Sequence, residues 1–288
     1  MERIFEQMTS WIKGWIVDAL MALLEGMFDS INSQVGQVAS DVATSPANFT
    51  PGVFSLMRNV SNNAIMPIAG MILTFIACYE LIQLVVAHNN LANFETWIFF
   101  KWIFKTFIAV MLITHCFDIT MAIFDVAGHV ITNSGSIIQN STSVNGSQLA
   151  SLRTTLEGMS VGALIPLFGE IFLLSIGIKI MSLMVFIVIY GRMIEIYLMI
   201  SLAPLPFSTF GNREQSQIGQ NYVKSLVAIG FQGFLILVCV AIYAVLIQNV
   251  TISSDIRGSL WGILGYNILL VFALFKTSTL SKRIFSAQ

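Results

Sequence analysis

Charged residues are scarce in this chain. Asp, Glu, Lys and Arg together make up 10% of its 288 residues, whereas soluble globular domains carry about 25%. Hydrophobic residues account for 56% of the chain, and its mean hydropathy is +0.81. This composition excludes a water-facing surface and predicts an integral membrane protein. The net charge of −1 also lacks the basic excess that would hold nucleic acid by charge alone.

Paired cysteines and the motifs of nucleotide and zinc enzymes are missing too. The three cysteines, Cys78, Cys116 and Cys239, stand singly inside apolar runs, which is typical of packing residues rather than of a disulfide framework or a zinc site. The sequence has no glycine-rich phosphate loop and no H-E-x-x-H, which are motifs of nucleotide hydrolysis and zinc proteolysis. We therefore expect a protein that is not an enzyme and that carries neither cofactor nor metal.

What the chain has instead is long apolar runs. About 20 apolar residues cross a bilayer as a helix, and the runs predict an all-α, polytopic transmembrane bundle. They cover residues 64–87, 97–131, 162–210, 222–249 and 258–275. The run 162–210 is long enough for two crossings, or for one crossing and a segment along the interface. Five spans are therefore favoured, and six stay open.

Basic residues favour five spans. With the N-terminus outside, five spans place seven Lys and Arg residues on the cytoplasmic side, as the positive-inside rule requires: Lys101, Lys105, Arg213, Lys224, Lys276, Lys282 and Arg283. Six spans would leave Lys101 and Lys105 outside. These two lysines lie one turn apart among aromatic residues, which predicts an interfacial anchor of rings at headgroup depth and snorkelling ammonium groups.

The first 63 residues are more polar than the rest. Residues 1–32 carry apolar residues on one helical side and charges on the other, which predicts an amphipathic helix. It either lies in the membrane interface or packs against other helices. Residues 33–63 predict a polar linker, and residues 64–288 form the predicted transmembrane domain. That domain includes a predicted outer polar loop at residues 132–160 and a short basic C-terminal tail.

Polar residues inside apolar runs are the candidate functional residues, because each costs about 2.5–3.5 kcal/mol at the centre of a membrane helix. His115, Asp118, Asp125 and His129 recur at intervals that place them on one helix face. This face predicts a subunit interface or a water-filled path. The alternative is that it lies near the outer end of a long helix and is simply solvated.

Two more pairs of charges occupy the run 162–210. Glu170 and Lys179 are nine residues apart and point to opposite sides of a helix, so they cannot pair with each other. Lys179 is therefore expected to have a partner on another helix or subunit. Arg192 and Glu195 are three residues apart, a spacing that allows a local pair, and they predict a second interfacial anchor.

Prolines and glycines mark two further positions. Pro204 and Pro206 lack amide hydrogens and disfavour helix at the residue before them, so they predict a break in the helix. The carbonyl groups freed by the break need protein or water, which places it in a protein interior or at the interface. Gly258, Gly262 and Gly265 lie about one turn apart and predict a close helix contact.

Four stretches together resemble the TrbL-type family of conjugal transfer proteins: MERIFEQMTSWIKGWIVDAL, NAIMPIAGMILTFIACYELI, TWIFFKWIFKTFIAVMLI and YLMISLAPLPFSTF. The order of spans, outer polar loop, proline break and basic tail is similar as well. The resemblance is to the clostridial members found on integrative conjugative elements. It implies an inner-membrane component of a bacterial type IV secretion system, with five spans, an external N-terminus and a cytoplasmic C-terminus.

The resemblance also implies partners. These are membrane lipids, further copies of the chain in a ring-shaped homo-oligomer such as a pentamer, other type IV secretion subunits including ATPases, and single-stranded DNA in transit with its relaxase. The sequence has no basic groove with stacking aromatics for single-stranded DNA, which favours a structural or conduit role. The alternatives are a small-solute transporter, for which the sequence offers only one broken helix, and a membrane scaffold without a conduit of its own.

Overall fold

The structure is a computed structural model that describes residues 2–87, 96–139, 147–212, 214–248 and 256–287. Helices account for nearly all of these residues, and no strand occurs among them. The helices are α1 (Glu2–Ala43), α2 (Pro46–Phe49), α3 (Pro51–Val60), α4 (Met66–Ala87), α5 (Thr96–Thr114), α6 (Cys116–Gln139), α7 (Ser147–Gly158), α8 (Val161–Leu202), α9 (Pro204–Ser208), α10 (Ser216–Gln248) and α11 (Ile256–Ile284). A π-helical turn, Ser61–Ile65, joins α3 to α4, and a 3-10 turn, Thr209–Gly211, follows α9.

The predicted all-α polytopic fold is confirmed. Within the described ranges, five helical segments are long and apolar enough to cross a membrane: Pro51–Ala87, Thr96–Thr114, Val161–Gly211, Ser216–Ile247 and Ile256–Ile284. The residues 162–210 form one continuous segment in this count, which agrees with the favoured five spans. The helix α1 is not among the five, because charged residues recur along it on the side opposite its apolar stripe.

The chain divides into two compact units. Unit 1 comprises Met1–Val42, Thr132–Ile189 and Leu235–Thr277. Unit 2 comprises Ala43–Ile131, Tyr190–Phe234 and Ser278–Gln288. The long helices α8, α10 and α11 each contribute residues to both units.

In unit 1, the part of α1 that follows its first turns buries one stripe of side chains. Leu20, Leu24, Ile31, Val38 and Val42 are all buried, at intervals of three or four residues or their multiples. Val38 and Val42 continue the stripe, so the helix runs on to Ala43, past the predicted boundary at residue 32. This part of α1 is therefore packed within unit 1.

The start of α1 exposes its apolar residues instead. Ile4, Met8, Trp11 and Trp15 are exposed and share one side of the helix. No described residue covers them, and an interfacial helix would expose its apolar side to the membrane in this way.

The predicted outer loop at residues 132–160 is largely helical where it is described. It contains the end of α6 and all of α7, and residues 140–146 lie outside the described ranges. Leu152 and Leu156, one turn apart on α7, are fully buried in unit 1. Arg153 between them donates hydrogen bonds to Asp18 at 2.8 Å and to Glu157 at 3.0 Å. Leu152 and Leu156 thus give this largely polar segment a buried side.

Unit 2 holds two buried clusters. One gathers Phe117, Phe124, Met193, Ile196, Tyr197, Ile200, Leu226 and Ile229. The other gathers Ala69, Leu73, Ala109, Ile113, Cys116, Ala203 and Phe207, where the α4–α5 hairpin packs against α9. The hydroxyl of Tyr197 donates to the carbonyl of Pro46 at 2.7 Å and accepts from the amide of Thr50 at 3.2 Å, which fixes α2 to α8.

The predicted single helix over residues 97–131 is two helices, α5 and α6, that meet at His115. Backbone hydrogen bonds continue through the junction of α5 and α6. The amide of His115 donates to Met111 O and the amide of Ile119 donates to His115 O, both at 3.0 Å. The hydroxyl of Thr114 donates to Val110 O at 2.8 Å, a contact that bends helices. The apolar segment thus ends at Thr114, and the polar residues follow the bend.

Candidate functional site

The helix α6 has two faces of opposite character in unit 2. One face is buried: Cys116, Phe117, Thr120, Phe124, Ala127 and Ile131. The hydroxyl of Thr120 donates to Cys116 O at 2.7 Å, so this face carries no unpaired hydroxyl. Burial raises the pKa of the Cys116 thiol to about 11. The thiol therefore stays protonated at neutral pH and acts as a packing group, as the sequence predicts.

The opposite face of α6 carries His115, Asp118, Asp125 and His129, and all four side chains are exposed. We call these four residues the polar face. His115 Nδ1 lies 3.8 Å from Asp118 Oδ2, with the side chains 53% and 71% exposed. A pair this open contributes little to stability. The polar face is therefore held by the burial of the other side of α6, not by contacts among its own members.

Glycines on α10 bring α6 close. A methyl group on Gly230 would lie 3.2 Å from the Cβ of Ala127, so the two helices touch almost backbone to backbone. A methyl group on Gly233 would lie 2.7 Å from Ile131 Cδ1. Sequence reasoning missed both glycines, because they are three residues apart and do not form the GxxxG pattern that signals helix contact.

Arg192 does not form the predicted anchor or the predicted pair with Glu195. Its side chain is 6% exposed, and Nε and Nη2 donate to the carbonyls of Ile229 and Gly230 on α10, each at 3.2 Å. A methyl group on Gly233 would come within 2.8 Å of Nη2, so the missing side chain makes room for the guanidinium. Nη1 is buried without a hydrogen-bond partner among the described residues.

The other predicted anchor residues find different partners. Glu195 accepts from Lys282 at 3.2 Å, with both side chains about two-fifths exposed. Lys105 pairs with Glu80 across the α4–α5 hairpin, next to Trp102, whose indole donates to Ala77 O at 3.1 Å. Lys101 lies over the ring of Trp97 at 5.6 Å, a cation–π contact. Lys101 thus lies beside an aromatic ring, and the interfacial role of Lys101 and Lys105 stays a prediction.

In unit 1, Glu170 and Lys179 do not meet. Glu170 accepts from Arg257 at 3.2 Å. Lys179 is exposed, and no ion pair of its ammonium group occurs in the described part of the chain. Gly258, Gly262 and Gly265 are exposed on α11, and methyl groups on Gly262 and Gly265 would meet no atom within 4 Å. Gly262 and Gly265 therefore make no close contact with the described residues, and the contact predicted for the three glycines stays a prediction.

The proline break lies in the interior of unit 2. Helix α8 ends at Leu202, and Pro204 opens the short helix α9 at a position where its missing amide hydrogen is not needed. Pro204, Phe207 and Ser208 are buried. The Thr209 hydroxyl donates to Pro206 O at 2.7 Å and accepts from the amide of Gly219 at 3.1 Å. One hydroxyl therefore satisfies a carbonyl of the break and an otherwise free amide at the start of α10.

A family model described as "TrbL/VirB6 plasmid conjugal transfer like protein" matches residues 31–204. The match covers more than half of the chain. The chain belongs to the TrbL/VirB6 plasmid conjugal transfer-like family. The predicted TrbL-type resemblance is thereby confirmed. Neither the curated proteins nor the solved structures contain a match to the chain.

This TrbL/VirB6-like chain is a multi-pass membrane component of conjugal transfer, within type IV secretion. The matched residues include the polar face of α6, the buried Arg192 and the first proline of the break. They exclude α10 and α11. The glycines that receive Arg192 and the lysine that pairs with Glu195 therefore lie outside the matched region.

Proposed function

We propose that this TrbL/VirB6-like chain is a non-enzymatic conduit subunit of a conjugative type IV secretion system. It assembles with further copies of itself as a ring in the bacterial cytoplasmic membrane and supports the passage of single-stranded DNA with its relaxase. The observation that carries the proposal is the polar face of α6, which the chain leaves exposed while it buries the opposite face of the same helix.

The polar face needs a partner other than lipid. These four residues follow the apolar segment that ends at Thr114, so water, a second copy or a water-filled path can surround them, whereas lipid tails would cost about 2.5–3.5 kcal/mol for a single charged residue. The helix cannot rotate them inward, because Phe117 and Phe124 already fill the core of unit 2. A second copy or a water-filled path between copies satisfies these residues, and a ring supplies both.

The placement of cations supports a conduit rather than a DNA-reading surface. Lys105 and Lys282 are paired with carboxylates, and Arg192 is buried against carbonyl groups. These cations are not free to track a phosphate backbone. ATPases and other secretion subunits would supply the energy and the substrate, since nucleotide hydrolysis motifs are missing from the sequence.

An external N-terminus and a cytoplasmic C-terminus fit the five apolar segments. With this orientation seven basic residues face the cytoplasm, as the positive-inside rule requires: Lys101, Lys105, Arg213, Lys224, Lys276, Lys282 and Arg283.

Orientation is tested by cysteine accessibility in whole cells. In a variant without native cysteines, Lys101→Cys should resist a membrane-impermeant thiol reagent, because it lies on the cytoplasmic side. Glu157→Cys, an exposed position on α7, should be labelled and serves as the matched control. Labelling of Lys101→Cys before membrane permeabilisation would contradict the proposed orientation.

Assembly is tested by the double variant Asp118→Leu, Asp125→Leu. We expect the wild-type chain in nanodiscs to give one closed oligomer by native mass spectrometry, and the variant to weaken its association by at least about tenfold, the equivalent of 1.4 kcal/mol. Conjugal transfer should fall with it. Glu214→Leu removes an exposed carboxylate elsewhere in unit 2 and should leave the oligomer intact. A wild-type monomer, or an unchanged oligomer in the double variant, would favour a scaffold or a transporter.

A further inference from the structure

The helix α3, in unit 2, carries a polar side that the chain leaves exposed. Its members are Ser55, Arg58 and Asn59, with Asn62 from the π-helical turn that follows. All four residues are exposed, and their spacing places them on one side of the helix. We call them the Arg58 patch. The patch belongs to the segment Pro51–Ala87, which is apolar enough to cross a membrane, so it needs water or a polar partner.

Arg58 is held in place on the surface of unit 2. Its guanidinium lies over the ring of Phe117 at 5.1 Å, and Phe54 packs against the same ring with the centroids 5.5 Å apart. The start of α3 is fixed as well, since the amide of Thr50 donates to the hydroxyl of Tyr197 at 3.2 Å. A guanidinium stacked on a ring keeps its N–H edge free to bind a carboxylate. No ion pair of Arg58 occurs among the described residues.

The polar face of α6 has the opposite charge. It carries two carboxylates, and no Lys or Arg pairs with either of them in the described part of the chain. Asp118 has His115 at 3.8 Å as its ion-pair neighbour. The Arg58 patch offers hydrogen-bond donors, a guanidinium and two carboxamides, whereas ionised carboxylates only accept. The two surfaces are therefore complementary in charge and in hydrogen bonding.

The two surfaces lie on different sides of unit 2. Arg58 adjoins Phe117, which is 6% exposed, whereas the side chain of Asp118 is 71% exposed. Consecutive residues point about 100° apart around a helix, so the patch and the polar face look in different directions. They nevertheless share one level, because residues 117 and 118 belong to the same turn of α6.

We propose that the Arg58 patch of one copy binds the polar face of the next copy, with Arg58 paired to Asp118 or Asp125. This inference rests on the assembly proposed above and names the two surfaces that form its contact. Contacts between two different surfaces are heterologous, and they form a ring when the rotation between copies closes. Rotation about the membrane normal keeps each residue at its depth, so the shared level along α6 is what such a ring requires.

Most other described cations of unit 2 have a different environment. Lys105 and Lys282 are paired with carboxylates, and Arg192 is buried against carbonyl groups. Lys101 is stacked on Trp97, more than four helical turns before the polar face at about 3.6 residues per turn. Arg58 is the cation that contacts α6 at the level of the polar face.

Charge reversal tests the pairing in the full chain in nanodiscs. Arg58→Glu should weaken association at least about tenfold by native mass spectrometry, because like charges then meet across the contact. Asp118→Arg should do the same. The two substitutions combined should associate more tightly than either alone, a rescue that a purely structural role of Arg58 would not give. Arg283→Glu makes the same charge change at another exposed arginine of unit 2 and should leave the oligomer intact.

Cross-linking locates the contact and decides the matter if Arg58→Glu does not fold. Chains without native cysteines are co-expressed with two different tags, one carrying Arg58→Cys and the other Asp118→Cys. A short bifunctional thiol reagent is used, since an Arg–Asp pair separates Cα atoms beyond the roughly 7 Å limit of a direct disulfide. We expect a covalent dimer that contains both tags, and no cross-link between chains of one kind.

The outcomes separate this contact from the proposed function. A wild-type monomer would contradict both. A wild-type oligomer that persists in Arg58→Glu, or that gives no dimer with both tags, would overturn the contact alone. The Arg58 patch would then face lipid headgroups or water, and the ring would use another surface.

Discussion

Arg192→Glu is expected to abolish the accumulation of folded protein. The substitution would place a carboxylate against the carbonyl oxygens of Ile229 and Gly230, each now 3.2 Å from a guanidinium nitrogen. The position is 6% exposed, so water cannot screen the repulsion. Uncompensated buried charges are among the few causes of losses above about 4 kcal/mol from one substitution.

Arg192→Met is expected to fold, and the contrast is what makes the experiment decisive. Methionine keeps the length and the apolar stem, and it removes a charge that no carboxylate balances in the described part of the chain. The two carbonyls retain their bonds within α10. Replacing buried ionic groups with apolar ones of similar volume is often neutral, and we expect a change within about 1–2 kcal/mol.

The yield of monodisperse protein in size-exclusion chromatography and the midpoint of denaturant unfolding measure both variants. Glu195→Lys is the control, since it reverses a charge one turn away at a position about two-fifths exposed. It should shift the midpoint little. A wild-type midpoint for Arg192→Glu would show that the guanidinium does not rest on the carbonyls of α10.

Arg192 also shows why sequence reasoning could not complete the candidate site. The polar face of α6 is a local pattern, because four residues within 15 positions define it. The surroundings of Arg192 are not local. Its acceptors lie 37 and 38 residues further along the chain, and they are open to it because residue 233 is glycine. A nearby glutamate, three residues away, was the more obvious partner from spacing alone.

Glu195 is a second residue whose partner could not be predicted from spacing along the sequence. Its partner Lys282 is 87 residues away, near the end of α11. Hydropathy places both residues at the ends of apolar segments but does not say which ends meet. Pairing across a bundle depends on how the helices pack, and a single sequence contains little information on packing partners.

Helix extent was predicted less well than helix number. The five apolar segments follow from length and hydropathy, which are local properties. Residues 33–43 and 147–158 were predicted as linker and loop because they are polar on average. Each is helical and buries apolar residues at helical spacing, Val38 and Val42 in one case and Leu152 and Leu156 in the other. The average polarity of a segment does not reveal a few buried apolar residues that recur at helical spacing.

Gly219→Val is the second substitution expected to have a large effect. A Cβ at this position would lie 2.8 Å and 2.9 Å from ring atoms of Phe210 and 2.9 Å from the carbonyl oxygen of Pro206. These distances are too short for real contacts. The Phe210 ring cannot easily move, since it packs against Phe207, with ring centroids 5.7 Å apart. The start of α10 must then shift away from α9.

The variant Gly219→Ala compares this steric cost with the gain in helix propensity, because alanine adds only a methyl group. Alanine favours helix over glycine by about 1 kcal/mol, whereas overpacking costs about 1–3 kcal/mol. The shift also weakens the bond from the Gly219 amide to the Thr209 hydroxyl, now 3.1 Å. We therefore expect Gly219→Ala to lower the midpoint of unfolding, and Gly219→Val to lower it further.

Gly70→Ala on α4 is the matched control, because a methyl group there would meet no atom within 4 Å. At Gly70 the substitution changes helix propensity without a steric cost, so it should leave the midpoint of unfolding unchanged or raise it. The two alanine variants are therefore expected to move in opposite directions. If both raise the midpoint, α10 does not rest on the proline break. We expect Gly219→Val to lower both stability and conjugal transfer, and Gly70→Ala to lower neither. That result would indicate that transfer depends on the close approach of α9 and α10, which the break at Pro204 and Pro206 makes possible.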